Sequence, residues 1–297
     1  MVQATTKGTV KDNPNFKVQE DVAALRKAIE GLGTTEKTLV EVLTQRTNAQ
    51  RQLIAQAYEK ATGRTLVDDL KGDTGGDFES VLVALVTPPA VYDSQEVLKA
   101  IKGPGTTETT LTEIFASRSN KQIKALSEAY LASDTFLRCG GFIRIFLCFV
   151  VKSMKTLYDA GEKKWGTDEA KFIDILCHGS VPQLRQMFVE YKGISKKTLQ
   201  ESIESEMNGD LEELLVAVVK CVKSVPAFFA ERLFKSMKGT GTTESTLTRI
   251  IVSRSEVDLM DIRAEYKKIF GHTLYSQLET EVGGSYGDVI KRLCGQD

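Results

Sequence analysis

Gly31-Leu32-Gly33-Thr34 decides the reading of this chain, because the same short loop returns as Gly103-Pro104-Gly105-Thr106 and as Gly239-Thr240-Gly241-Thr242. A variant, Lys164-Trp165-Gly166-Thr167, lies between the last two. The four threonines are separated by 72, 61 and 75 residues, and each has a tyrosine 24 positions later: Tyr58, Tyr130, Tyr191 and Tyr266. Three have an arginine 12 positions later (Arg46, Arg118 and Arg254), where the third copy has Gly179. A fixed period of this kind is the signature of a tandem array. The copies divide the chain into a tail, 1–16, and four units, 17–90, 91–152, 153–225 and 226–297.

Each unit reads as helical. In the first, Val22, Leu25, Ala28 and Ile29 fall on one helical face ahead of the glycine loop. Leu39, Val42 and Leu43 continue a second helix, Leu53, Ile54 and Ala57 a third, and Phe78, Val81, Leu82 and Leu85 a later one. Glycine after a helix and threonine before the next are expected stop and start residues. Glu36, Glu108 and Glu244 fall in the first turn that follows, where acid complements the helix dipole. All six prolines are expected between helices, and no segment alternates with period two. The fold class is therefore all-α.

Composition bounds the partners. The 297 residues are 41% hydrophobic and 27% charged, a globular balance. Lys plus Arg is 39 against 40 for Asp plus Glu, a formal net charge of −1. That near-cancellation gives no unaided attraction to nucleic acid or to an anionic membrane. The five cysteines are scattered without a C-x-x-C pair, which fits a reducing cytosol better than a disulfide framework. No signal peptide opens the sequence, and the longest apolar run, Phe142 to Val151, is too short for a membrane span and contains Arg144.

The glycine loops invite a phosphate-loop reading, but Glu36 occupies the last glycine position of that pattern and the other copies lack its lysine. The informative feature is a distant acid. Forty residues after the glycine that precedes threonine stand Asp73, Glu206 and Glu281, each followed three residues later by a glycine: Gly76, Gly209 and Gly284. Glycine lets backbone carbonyls turn toward a cation, a carboxylate adds charge, and calcium accepts several oxygens in irregular geometry. The competing reading has the acids and glycines merely capping and ending helices. Capping explains one copy, but not the loss of the acid in the one copy that is otherwise abnormal.

With these loops and acids repeated, and with Asn48-Ala49-Gln50-Arg51-Gln52, Ala160 to Glu169 and Val252-Ser253-Arg254-Ser255-Glu256 beside them, the chain resembles the annexins from about residue 17 onward. The resemblance implies a curved disc of four five-helix repeats, with calcium loops on a convex face that docks on anionic phospholipid such as phosphatidylserine. Carried over by position, repeat one would hold Ca2+ through Ile29, Gly31, Gly33 and Asp73. Repeat three would use Gly161, Lys164, Gly166 and Glu206, and repeat four Met237, Gly239, Gly241 and Glu281. Weaker secondary sites would pair Thr34 with Glu36 and Thr242 with Glu244. Trp165 would sit at the headgroup level or close the third loop against the core. The implied protein is a cytoplasmic monomer, peripheral to plasma and vesicle membranes when calcium rises. Three bound ions would add roughly six positive charges to one face. Inhibition of phospholipase A2 would follow by covering its lipid substrate.

The second repeat breaks the pattern. Ile145 stands where the acid is due, and Phe136 to Met154 replaces the acid loop, the last helix and the linker. Asp134 falls only 29 residues after Gly105. A splice variant or altered gene segment explains the crowding of Phe, Cys and Ile better than a divergent repeat does. The chain is not expected to be an enzyme, since His178 and His272 lie beside no acid–base or nucleophile pattern. An inositol cyclic-phosphate hydrolase, or a nonfunctional product, are the alternatives. The polar tail carries no partner-docking helix, and Thr5, Thr6 and Thr9 read as solvated positions open to modification.

Overall fold

The computed structural model describes residues 7–31, 35–102, 107–132, 176, 179–239 and 241–297. Every regular element among them is an α-helix. The first copy supplies five: α1 Val18–Glu30, α2 Glu36–Thr44, α3 Asn48–Thr62, α4 Leu66–Asp73 and α5 Gly76–Val86. The second supplies α6 Pro89–Lys102, α7 Glu108–Ser117 and α8 Asn120–Leu131, and the third α9 Val181–Ser195, α10 Leu199–Glu206 and α11 Gly209–Lys223. The fourth is complete: α12 Val225–Met237, α13 Glu244–Arg254, α14 Leu259–Phe270, α15 Leu274–Glu281 and α16 Gly284–Cys294. The first and fourth copies form one compact unit, and the second and third another.

The periodic apolar positions build the cores. Val22, Leu25, Ala28 and Ile29 are all buried on α1, which packs on α2 and α3, and Leu39, Leu43, Leu82 and Leu85 are buried on α2 and α5. Burial of each such leucine contributes about 1.5–3 kcal/mol. Leu53 departs from its expected face and is 51% exposed; Ile54 and Tyr58 carry the buried stripe of α3 instead. In the other unit, α11 packs on α7, and Val97, Leu111, Ile114, Leu126 and Tyr130 form one core cluster.

Several helix ends differ from the sequence reading. Pro89 is the first residue of α6, while Pro182 and Pro226 are the second residues of α9 and α12, rather than lying between helices. The first turn needs no N–H from those positions, so proline fits there. The capping threonines are the second of each Thr-Thr pair, Thr35, Thr107 and Thr243, and none of their side chains makes a capping bond. Their backbone N–H groups reach back across the loop, to the carbonyls of Ala28 (3.0 Å), Ala100 (2.8 Å) and Ser236 (2.7 Å).

The periodic arginines are structural. Arg46 makes a two-bond pair with Asp21 (2.7 and 2.8 Å) and Arg118 with Asp93 (2.8 and 2.9 Å), each bridging 25 residues to the first helix of its copy. In the fourth copy Phe229 occupies the equivalent position. Arg254 lies over its ring at 4.9 Å and pairs with Asp258 instead, at 2.7 and 2.6 Å. Planar two-bond pairs of this kind satisfy both charges where solvent cannot.

The tail is held rather than solvated where it is described. Val10 N–H donates to the Ser255 carbonyl, Met260 N–H to the Lys7 carbonyl, and Thr9 Oγ1 to the Leu293 carbonyl at 2.5 Å. Thr9 is thus engaged with the fourth copy, while Thr5 and Thr6 lie outside the described residues. A side chain at Gly8 would meet the Glu256 backbone at 2.5 Å, so only glycine permits this approach. Cys221 and Cys294 are buried and form no disulfide, and burial pushes the Cys294 thiol up to about 12. No helix among the described residues is long and apolar enough to cross a membrane.

Candidate metal centres

The fourth copy shows both halves of the expected site. After Met237 the chain passes through Lys238 and Gly239, whose φ of 123° only glycine adopts readily, to Gly241 and the Thr243 closure on Ser236. Gly239 and Gly241 are exposed, and no hydrogen bond from a described residue reaches the carbonyls of Met237, Gly239 or Gly241. Three backbone oxygens are therefore left for a ligand in a loop whose ends are fastened.

The acid halves repeat closely. Asp73, Glu206 and Glu281 are the last residues of α4, α10 and α15. Three residues later comes a glycine with φ of 62°, 72° or 61° that opens α5, α11 or α16. A carboxylate at a helix C-terminus faces the negative end of the dipole and disfavours its own helix. Capping therefore does not account for the acids. Asp73 and Glu206 are exposed; Glu281 is half-buried and accepts a bond from Gln277 Nε2 at 2.8 Å. Sequence reading missed Gln277, although a polar residue four positions before the acid on one helix is the signal that points to it.

Tyr286 Oη, on α16, donates to the Glu244 carbonyl at 3.1 Å and shares a 3.1 Å bond with Thr248 Oγ1. The start of α16 is thereby fastened to the start of α13, so the acid turn and the glycine loop flank the same pair of helix N-termini. The Tyr266 phenol is pushed up to about 12, chiefly by burial and then by the charge of Glu281. His272 is a packing residue: Nδ1 lies 3.0 Å from the Phe270 carbonyl and the ring stands edge-on to Tyr266.

The remaining expected residues divide plainly. Ile29 is buried near the end of α1 and Gly31 is exposed; Gly33 and Thr34 lie outside the described residues. So do Gly161, Lys164, Trp165, Gly166, Asp134, Ile145, His178 and residues 136–154. Of the secondary pairs, Thr242 and Glu244 are half-buried beside each other, while the Glu36 carboxylate accepts a bond from Ser285 Oγ, a partner the sequence did not suggest. No group of three or more His, Cys, Asp or Glu side chains converges among the described residues. A donor set of backbone carbonyls plus one carboxylate suits a hard cation such as Ca2+ rather than a transition metal.

The annexin family pattern matches residues 20–85, 92–133, 154–218 and 228–293. The chain belongs to the annexin family. The second match stops at residue 133, whereas the other three extend past their acids, so the second repeat is disrupted where Ile145 replaces the acid. Annexin A3 of Mus musculus is 47% identical over 314 residues, covering 98% of this chain and 97% of that protein. This agrees with Thr87 to Asp93 and Pro226 to Arg232, which resemble the third annexin type. The solved structure of annexin III aligns with a TM-score of 0.87 at 46% identity, covering 98% of both chains. That of calcium-bound annexin (Sm)1 aligns with a TM-score of 0.81 at 29% identity, over 98% of this annexin and 94% of that chain.

Proposed function

We propose that this annexin binds anionic phospholipid, phosphatidylserine foremost, in a calcium-dependent manner through repeats one, three and four. Membership of the family carries calcium-dependent phospholipid binding in general. The observation that supports these residues is the open set of carbonyls at Met237, Gly239 and Gly241 in a loop fastened beside the Glu281 turn. Ile29, Gly31, Gly33 and Asp73 hold the ion in repeat one, and Gly161, Lys164, Gly166 and Glu206 in repeat three. Thr34 with Glu36, and Thr242 with Glu244, serve as weaker secondary positions.

Bound calcium supplies positive charge and open coordination for lipid oxygens. The chain's own residues do the rest. The Thr243 closure holds the glycine loop, the positive-φ glycine turns the chain sharply after each acid, and Gln277 orients Glu281. Without the ion, a net charge of −1 leaves no attraction to an anionic surface. Linkage then makes lipid raise calcium affinity to the same degree that calcium raises lipid affinity. The protein acts as a cytoplasmic monomer peripheral to plasma and vesicle membranes, and it inhibits phospholipase A2 by covering the lipid.

Sedimentation with phosphatidylserine vesicles tests the reading. Wild type should pellet in calcium and stay soluble in chelator. The triple variant Asp73→Asn, Glu206→Gln, Glu281→Gln should remain soluble in both, and pelleting of the triple variant like wild type would remove these acids from the site.

A further inference from the structure

Repeat three carries a second kind of site, unrelated to the calcium loops. Between α9, the start of α10 and the end of α11 lies a groove of about 630 Å³. Phe188 and Leu199 form its buried apolar floor, and Val189, 70% exposed, stands along its wall. Three cations line the same groove: Arg185, Lys192 and Lys223. Arg185 Nε donates to the Val222 carbonyl at 2.7 Å and Lys223 Nζ reaches Gln200 Oε1 at 3.4 Å. None of the three forms an ion pair among the described residues. The Glu201 carboxylate feels the charge of Lys192, but its hydrogen bonds go to the Thr198 cap, accepting from its N–H at 2.6 Å and from its hydroxyl at 2.8 Å.

The fourth repeat shows what the same face does when it is covered. Seventy-five residues on, Phe188, Lys192 and Thr198 correspond to Arg263, Lys267 and Thr273. There the last residues of the chain lie across α14. Arg263 donates to the carbonyls of Cys294 (3.1 Å) and Gln296 (3.0 Å) and to Asp297 Oδ1 at 2.8 Å. The Asp297 carboxyl is held below its usual range by Thr273 first, then by Arg263 and Lys267. In repeat four an acid thus seats on this face, carried by the Gly295-Gln296-Asp297 segment and held by Arg263 where repeat three has Phe188. In repeat one the positions of Arg185, Lys192 and Lys223 are Gln52, Glu59 and Ala90, and the charge is absent. In repeat three the chain runs on from Lys223 into α12, so no chain end covers the groove.

We propose that this groove binds an amphiphilic organic anion: a carboxylate or phosphate head at Lys192, Lys223 and Arg185, with a short apolar chain on Phe188, Val189 and Leu199. A mostly apolar cleft of this size with a few convergent polar groups is the usual form of a small-ligand site. Charge complementarity selects an anion, and the apolar floor selects one with a hydrocarbon body.

Calorimetric titration of the full chain, in chelator so that the calcium loops are empty, tests this with decanoate, decyl phosphate, decanol and inorganic phosphate. Decanoate and decyl phosphate should each bind once per chain, and decanol and inorganic phosphate at least about tenfold more weakly, as loss of a charge-assisted contact or of the apolar body requires. Lys192→Gln with Lys223→Gln should weaken decanoate by about tenfold or more, while Lys121→Gln, far along the sequence on α8, should not. If the double variant melts early, the single variants carry the same comparison. Equal binding of decanol, wild-type affinity in the charge variants, uptake only at micelle-forming concentrations, or tighter binding of an Asp-rich hexapeptide would each overturn the proposal.

Discussion

Repeats two and four share a frame and differ in what the frame carries. Both fasten the loop with the same backbone bond, Thr107 to Ala100 and Thr243 to Ser236, and both bury the periodic tyrosine, Tyr130 and Tyr266. Both set the periodic arginine into a two-bond pair with an aspartate. Repeat four has the acid, Glu281, and the positive-φ Gly284 after it, where the sequence of repeat two has Ile145 and Cys148. The bond that closes the loop is therefore a product of helix packing and forms in a repeat whose sequence lacks the acid. On the proposed reading, chemistry is added by one residue at a helix end where the dipole opposes it.

This separation can be broken from either side. The largest effect is expected from the frame: Arg118→Ala strands Asp93 in a buried position and should cost about 3–5 kcal/mol, read as a lower urea midpoint. Calcium stoichiometry per folded molecule should not change. Leu278→Ala, at a fully buried position on α15, should cost about 2–5 kcal/mol by the same measurement. Glu281→Gln should do the reverse, removing one calcium per chain in calorimetry while leaving the urea midpoint nearly unmoved. If Glu281→Gln destabilises the fold as much as Arg118→Ala, acid and frame are not separate.

Smaller effects sharpen the comparison. Gln277→Ala should weaken calcium at repeat four by about tenfold, because the carboxylate loses the bond that orients it. Alkylation of Cys294 should be slow in the native protein at pH 8. Its folded thiol ionises near 12, so thiolate is scarce until unfolding returns it to the ordinary range. Rapid native labelling would contradict the burial.

The sequence disclosed what is local and periodic. Apolar spacing predicted α1, α2 and α5, and the forty-residue interval brought each acid to the end of a helix. It did not choose between the two threonines of Thr-Thr, because either can cap and the choice is made by a backbone bond across the loop. It put Leu53 on the wrong face of α3, since a run of apolar residues on a helix overfills the buried stripe. It could not show that Arg254 exchanges a distant aspartate for Asp258 once Phe229 occupies the place of Asp21 and Asp93. Nor could it show Ser285 on Glu36, or Thr9 on Leu293, because contacts about 250 or more residues apart leave no local pattern.

The pairing of first and fourth repeats has a consequence for synthesis on the ribosome. α5 packs against α13 and α2 against α16, and residues 7–10 lie against the fourth repeat, so the first repeat made is the last to be completed. The second and third repeats, contiguous in the chain, can close on each other while the first waits with an uncovered face. Slow elongation through the final seventy residues should therefore lengthen the period in which the nascent chain needs a chaperone.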